Sequence, residues 1–367
     1  MYHADSQPVA GRTRQKLKKK QKHKKEKFIL LCHAKSLAVV LENADLAPTK
    51  NIMFMKNGNR KFYRGEVTHI YQRAINGFNI FYGLEDCLVF YTIFSVFVRR
   101  FNVTALSLCL MIDHFHALLI CESKSTLSKF IASVTSLYSR LFNATVSRKG
   151  RLFDKSFGSA PKVGDKQVRT AIPYVFNNAT EKNICSDPED YMWNFLAYME
   201  SDHPFSEKIR SKELSKRLTS VLKEVDRARY EERWLNYAQL SRMYKGFSSK
   251  ERKQLTDYII KAYLPFDDQQ LLSYYKSLEM MKIAIKSNTG SEYNIREEYN
   301  PHSDRLYHEI SRYVQEKISL PPKSLLMLPL DEKIKIANRI AAYTHVPNRQ
   351  IAKFLHIPVK KGSPSTR

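Results

Sequence analysis

The stretch Leu106-Ser-Leu-Cys-Leu-Met-Ile-Asp-His-Phe-His-Ala-Leu-Leu-Ile120 is apolar and rich in residues that favour β-strands. His114 and His116 are one residue apart in this stretch, so they would project from the same face of a strand. A single buried histidine is usually a hydrogen-bonded core residue. Two imidazoles on one apolar face are costly to bury unless a metal ion or an anion accompanies them. The pair therefore predicts a metal site on a core strand.

The segments around this strand predict a mixed α+β domain. In chain order their composition and periodicity indicate a strand, a helix, two strands and two helices. The ranges are 67–73, 84–101, 103–112, the strand from His114, 125–143 and 166–181. Asp113 is the turn-type residue before the histidines, so we expect a hairpin. The order predicts a ferredoxin-like (RRM-like) sheet with helices on one face and the other face open. Tyr71 and Gln72 could contact bases on the open face, and a core position is the other interpretation of Tyr71.

Composition and charge narrow the class of protein. A chain of 367 residues with 43% hydrophobic residues has room for about two domains. The formal net charge of +25 indicates a polyanionic partner, and nucleic acid is the usual one. Five cysteines without C-x-x-C spacing argue against a secreted disulfide framework and against a cysteine zinc cluster. No apolar run is long enough to cross a membrane, so we expect a cytoplasmic protein.

The two ends of the chain differ from the central segment. Gly11–Lys27 contains ten Lys or Arg residues and one Glu, so residues 1–58 are predicted to be a basic arm that contacts phosphates, or a solubility tail. Residues 203–367 are predicted to be a helical domain. A helix-turn-helix is one interpretation of 331–358, and a plain helical bundle is the other.

Several blocks of sequence resemble a known family. The first blocks are Val67-Thr-His-Ile-Tyr-Gln-Arg-Ala-Ile-Asn-Gly77 and Cys109-Leu-Met-Ile-Asp-His-Phe-His-Ala-Leu-Leu119. Gly150-Arg-Leu-Phe-Asp-Lys-Ser156, Tyr174-Val-Phe-Asn-Asn178 and Tyr191-Met-Trp-Asn-Phe-Leu-Ala-Tyr198 follow in order. Together they resemble the single-tyrosine HUH transposases, and the REP-associated tyrosine transposases in particular. In this family HUH denotes two histidines separated by a bulky apolar residue. The resemblance covers residues 59–202, the expected catalytic domain.

The resemblance implies a metal-dependent endonuclease and strand transferase that acts on single-stranded DNA, often hairpin-bearing or palindromic. By motif, Tyr174 is the nucleophile that forms a 5′-phosphotyrosine link. His114, His116 and Asn178 are the implied ligands of a divalent metal, Mg²⁺ or Mn²⁺. Tyr174 and Asn178 are four residues apart, which places them on one face of a helix. The expected protein is a monomer or a homodimer.

Some features leave alternatives open. Tyr138 is a rival nucleophile, although it lies in the apolar stripe of its helix and is better explained as core. Pro173 precedes Tyr174, and an interior proline kinks a helix or marks its start. Ile112-Asp113 and Ala179 also depart from the family pattern. The alternative function is a catalytically inactive nucleic-acid-binding regulator with the same fold.

A basic segment after the amphipathic helix is the candidate DNA contact. Arg148, Lys149, Arg151 and Lys155 lie near the path that the resemblance implies for DNA. The other interpretation is a solvated basic turn. We assign the aromatic cluster Trp193, Phe195 and Tyr198 to core packing.

Overall fold

The computed structural model describes residues 61–154, 156–210, 214–287 and 303–358. The basic arm 1–58, Lys155 and the segment after 358 therefore lie outside the described residues. Within the described ranges no helix is both long and apolar enough to cross a membrane. Four of the five cysteines are described, all as free thiols: Cys87, Cys109, Cys121 and Cys185.

Four antiparallel strands form one sheet in the order β2-β3-β1-β4. Their bounds are β1 Val67–Arg73, β2 Thr104–Met111, β3 His114–Ile120 and β4 Gly158–Lys162. Ile112 and Asp113 form the tight turn between β2 and β3, which confirms the expected hairpin. Strand β4 was not predicted from the sequence, because it is short and contains a glycine and a proline. The order and direction of the strands are those of a ferredoxin-like sheet, so the predicted α+β class is confirmed.

Two helices, α1 (Leu84–Arg100) and α2 (Lys124–Thr145), cover the first face of the sheet. Helix α1 is apolar on nearly all sides. The sheet, α2 and helices from the second half of the chain enclose it and bury these apolar side chains. Helix α2 begins after Ser123, whose side chain accepts a hydrogen bond from the backbone N–H of Thr126.

The second face of the sheet is covered as well, so the prediction of an open face was wrong. Helix α3 (Asp165–Glu181) lies across this face and contacts β2, β3 and β4. Its apolar side chains pack with those of the strands, in a cluster that includes Leu106, Cys109, Leu118, Val168, Ile172 and Val175. The stripe on α3 would otherwise face water, and burying it against the sheet is the more stable arrangement.

Helix α3 continues through Pro173 and does not start there. A proline has no N–H, so it cannot donate to the carbonyl of the residue four positions earlier. That residue is Arg169, and its carbonyl accepts a hydrogen bond from the Tyr275 hydroxyl at 3.3 Å. The hydroxyl thus replaces the backbone donor that Pro173 removes.

The described residues after 202 form helices and no strand, as the sequence predicted. The bounds are α4 Lys216–Tyr230, α5 Tyr237–Tyr244, α6 Ser249–Ala262, α7 Asp268–Leu272, α8 Leu278–Ser287, α9 Ser303–Tyr313, α10 Leu330–Tyr343 and α11 Asn348–Phe354. Shorter 3-10 helices occupy Pro188–Asp190, Met192–Asn194, Leu196–Met199 and Pro322–Met327, and a π-helix occupies Val314–Ile318. The boundary at 202/203 and the helix-turn-helix near 331–358 stay predictions.

The C-terminal helices share their cores with the sheet. Helices α4 to α6 join the hydrophobic cluster that surrounds α1. Helices α9 to α11 form a second cluster that reaches Ile112, the first residue of the β2–β3 turn. Phe195 and Tyr198 are buried and Trp193 packs against the same core, as predicted for this aromatic cluster.

Candidate active site

The two histidines lie on β3, an inner strand of the sheet, at the end that follows the β2–β3 turn. Both project to the face that α3 covers, and their ring centroids are 5.0 Å apart at an interplanar angle of 83°. His114 and His116 are 2% and 0% exposed, so they are buried side by side as the spacing predicted.

Asp113 orients the first histidine. Its Oδ1 lies 2.5 Å from Nδ1 of His114, and its Oδ2 lies 4.0 Å from Nε of Arg73 on β1. Burial favours the neutral acid, but the positive charge of Arg73, the hydrogen bond from His114 and the positive charge of Lys353 hold the pKa of Asp113 well below its usual range. A carboxylate on one ring nitrogen fixes the tautomer of an imidazole, so Nδ1 of His114 carries the proton and Nε2 the lone pair.

A third histidine, His69 on β1, contacts the second one. Its Nε2 is 2.9 Å from Nδ1 of His116, and neither side chain is exposed. His69 was not among the site residues predicted from the sequence. Its position on β1, two residues from Tyr71, was the available signal, because Tyr71 pairs with His116 across the sheet.

Tyr174 on α3 packs against both of these imidazoles. Its ring centroid is 5.5 Å from that of His69 and 5.6 Å from that of His116, edge-on in both contacts. Its side chain is only 6% exposed. Asn178 lies one turn further along α3, buried, and its Nδ2 donates to the Tyr174 carbonyl at 2.9 Å. The predicted nucleophile therefore lies beside the predicted ligands.

The donor set fits a divalent metal. Nδ1 of His114 and Nδ1 of His116 are both hydrogen-bonded, so Nε2 of each ring is the atom that can carry a lone pair toward a cation. The amide oxygen of Asn178 is a third neutral donor. No group of three or more His, Cys, Asp and Glu side chains in the described residues is arranged to hold a metal ion. A site built here thus depends on the asparagine amide as well as on imidazoles.

The aromatic wall beside the histidines comes from Tyr71. Its ring stacks on His116 with centroids 6.2 Å apart and also covers Gly158 on β4, where an added Cβ would lie 2.0 Å from the ring. Gln72 points to the opposite face, where it is buried and donates to the Asp154 carbonyl at 3.1 Å. The idea that Tyr71 and Gln72 both contact bases on an open face was wrong, because adjacent strand residues face opposite sides.

The C-terminal region also reaches the site. A Cβ at Gly77, whose φ is +62°, would lie 3.0 Å from Nζ of Lys353 and 3.6 Å from Oδ2 of Asp113. Lys353 belongs to α11, which follows Asp113 by more than two hundred residues. The sequence did not indicate this approach, because it depends on how α11 packs.

The remaining predicted residues lie in separate environments. Tyr138 is fully buried and its hydroxyl donates to the Ile80 carbonyl at 2.6 Å, which supports its assignment to the core. Arg148 is half-buried and donates to the carbonyls of Gly150 and Arg151 and to Oδ1 of Asn143. These hydrogen bonds stabilise the loop after α2 that contains Arg148. Lys149 and Arg151 are exposed. Two surface depressions are lined by other residues than those of the imidazole cluster.

Comparisons with known proteins agree with the motifs. Residues 67–178 match the family model described as "Transposase IS200 like". A solved structure described as "Structure of the REP associates tyrosine transposase bound to a REP hairpin" is similar at 12% identity and a TM-score of 0.34, covering 39% of this chain and 84% of that chain. No curated protein matches the chain. The family model confirms the resemblance to the IS200-like transposases over residues 67–178.

Proposed function

We propose that this protein cleaves and rejoins single-stranded DNA, with Tyr174 as the nucleophile. The observation that carries the proposal is the contact of the Tyr174 ring with His116 and His69, in a segment that matches the IS200-like transposases. The net charge of +25 supports a polyanionic substrate, and hairpin-bearing DNA is the substrate we favour.

The proposed reaction is the one that the resemblance implies for Tyr174. The Tyr174 oxygen attacks the scissile phosphorus and forms an O–P bond as the phenol gives up its proton. The bond from phosphorus to the 3′ oxygen breaks, and that oxygen leaves as a free 3′-hydroxyl after taking up a proton. The phosphate stays on Tyr174 as a 5′-phosphotyrosine, and attack by a 3′-hydroxyl reverses the step and rejoins a strand.

The ligand set proposed for the metal is His114, His116 and Asn178. When bound, Mg²⁺ or Mn²⁺ polarises a phosphate oxygen and stabilises the charge that develops on it. Asp113 holds His114 in the tautomer that can bind a cation. A free tyrosine has a pKa of about 10, so phenolate is scarce at neutral pH and the nucleophile needs such help.

The burial of the site favours a second candidate function. Both imidazoles of β3 are buried and Tyr174 is 6% exposed, so a phosphate reaches them only if the covering elements move. A protein with the same fold and the same positive charge, in which these covering elements do not move, would bind nucleic acid without cleaving it. The candidate is thus an inactive nucleic-acid-binding regulator.

A covalent-adduct assay separates the two functions. The full chain is incubated with hairpin-bearing single-stranded DNA that has randomised flanks, a 3′ label, and Mg²⁺ or Mn²⁺. The labelled 3′ fragment carries the 5′ phosphate, so it should migrate with the protein after denaturation. The signal should disappear in Tyr174→Phe and persist in Tyr138→Phe, the matched control whose hydroxyl faces the core.

Two outcomes would change the proposal. An adduct that persists in Tyr174→Phe removes Tyr174 from the role of nucleophile. Tight binding of the same DNA without an adduct in either metal supports the inactive regulator.

A further inference from the structure

His69 is a buried histidine that belongs neither to the HUH pair nor to α3. It lies on β1, next to β3 in the sheet, and its Nε2 is 2.9 Å from Nδ1 of His116. The two rings have centroids 5.1 Å apart. This contact joins the first strand of the domain directly to the second histidine of the motif.

A hydrogen bond between two imidazole nitrogens contains one proton. The ring that donates this proton determines whether Nε2 of His116 can bind a cation. If Nδ1 of His116 donates, its Nε2 carries the lone pair and can bind a cation. If His69 donates instead, neutral His116 carries its proton on Nε2 and that atom cannot be a ligand. The hydrogen-bond partner of Nδ1 therefore determines whether Nε2 of the same ring carries a lone pair for a cation.

The ring of His69 also borders the nucleophile. Tyr174 meets His69 and His116 edge-on, with centroids 5.5 and 5.6 Å away. Edge-to-face contacts between aromatic rings are favourable and set the relative orientation of the rings. Replacing His69 with a side chain that has no ring would leave Tyr174 with one imidazole wall and not two.

We propose that His69 is a positioning residue: its Nε2 accepts a hydrogen bond from the Nδ1–H of His116 and thereby fixes Nε2 of His116 as the metal-binding atom. The same imidazole holds the Tyr174 ring against His116. For the metal this inference rests on the proposed function. The role parallels that of Asp113, which engages Nδ1 of His114. Each histidine of the HUH pair thus has its own buried partner.

Binding of Mn²⁺ to the full chain, measured by electron paramagnetic resonance without DNA, tests the proposal. Because loss of such an outer partner typically weakens metal affinity by about 10- to 100-fold, we expect a loss of that size in His69→Leu. His69→Gln, whose amide oxygen can accept the same proton, should recover most of the affinity. Ile70→Val is the matched control, since Ile70 faces the other side of β1 and packs in the other core.

The tautomer of His116 is a second readout that needs no variant of His69. In the metal-free, ¹⁵N-histidine-labelled protein, with His116 identified by comparison with His116→Asn, NMR should show the proton on Nδ1. A proton on Nε2 overturns the inference, as does unchanged Mn²⁺ affinity in folded His69→Leu. A wild-type protein that binds no Mn²⁺ counts against the proposed function, and the tautomer then still decides the role of His69.

Discussion

The ring of Tyr174 meets the imidazole of His116 edge-on, with centroids 5.6 Å apart and an angle of 84° between the planes. The two residues belong to elements that pack across the second face of the sheet, α3 and β3. The contact makes Tyr174 both a candidate nucleophile and a packing residue, so a substitution at this position can fail for two different reasons.

Comparing Tyr174→Phe with Tyr174→Ala should separate these two roles. The phenylalanine keeps the ring contacts, so its free energy of unfolding should stay close to the wild-type value. The alanine removes a buried ring and should lower the free energy of unfolding by about 3–5 kcal/mol. Neither variant should form a covalent adduct with DNA. Urea unfolding curves check the stabilities, and equal losses in the two variants would contradict the packing role.

Gly158→Ala should disturb the aromatic wall of the site. An added Cβ would lie 2.0 Å from the Tyr71 ring, so that ring must move away from His116. We expect a loss of about 1–3 kcal/mol in the free energy of unfolding, typical of forced overpacking. Gly83→Ala is the matched control, since nothing lies within 4 Å of its Cβ position. Thermal unfolding of both variants, and of Gly158→Ala combined with Tyr71→Ala, measures the effect. Compared with Tyr71→Ala alone, the added Gly158→Ala should cost little, and a cost as large as in the wild-type background would show that the clash is not the cause.

Lys323→Met should weaken the attachment of the C-terminal region to α1. Nζ of Lys323 lies 2.6 Å from Oδ1 of buried Asp86, which also accepts from the Tyr82 N–H and the Tyr237 hydroxyl. Removing one partner of a buried ion pair leaves an uncompensated charge and costs about 3–5 kcal/mol. Chemical denaturation measures this loss. The double variant with Asp86→Asn should lose less than the sum of the single variants, and strict additivity would argue against the pair.

Acid should destabilise the protein through His356. Its ring stacks on Phe78 at 4.5 Å, Nε2 lies 2.7 Å from the Asn79 carbonyl, and burial lowers its pKa from 6.5 to about 3. The pKa is lower in the folded than in the unfolded state, so the unfolded state binds more protons below pH 6.5. The contribution of neutral His356 to the free energy of unfolding is thus fully present above pH 6.5, falls as the pH drops, and is lost near pH 3.

At pH 5 this loss should reach about 2 kcal/mol relative to pH 7, because each pH unit below the unfolded pKa corresponds to about 1.4 kcal/mol. Urea titrations at the two pH values measure it. The dependence should flatten in His356→Phe and persist in His345→Ala, which changes an exposed histidine in the link between α10 and α11. An unchanged slope in His356→Phe would rule out this histidine as the cause.

Much of the fold between residues 67 and 181 could be predicted from local sequence. The apolar, β-rich composition and the turn at Asp113 predict the hairpin, and the spacing of His114 and His116 places both imidazoles on one face. The period of α3 places Tyr174 and Asn178 on one side of a helix. These features depend on neighbours within a few residues, which is the range over which periodicity carries information.

The sequence by itself therefore determined the first three strands and the three helices between residues 67 and 181, the histidine pair and the resemblance to the IS200-like transposases. Only the tertiary structure decided which side chains surround that pair. His69 reaches His116 through the pairing of β1 with β3, and Lys353 approaches Asp113 through the packing of α11. The cover over the second sheet face likewise depends on α3 docking there. These contacts join residues dozens to hundreds of positions apart, and packing of the whole chain sets them, because a local pattern does not encode which surfaces will meet.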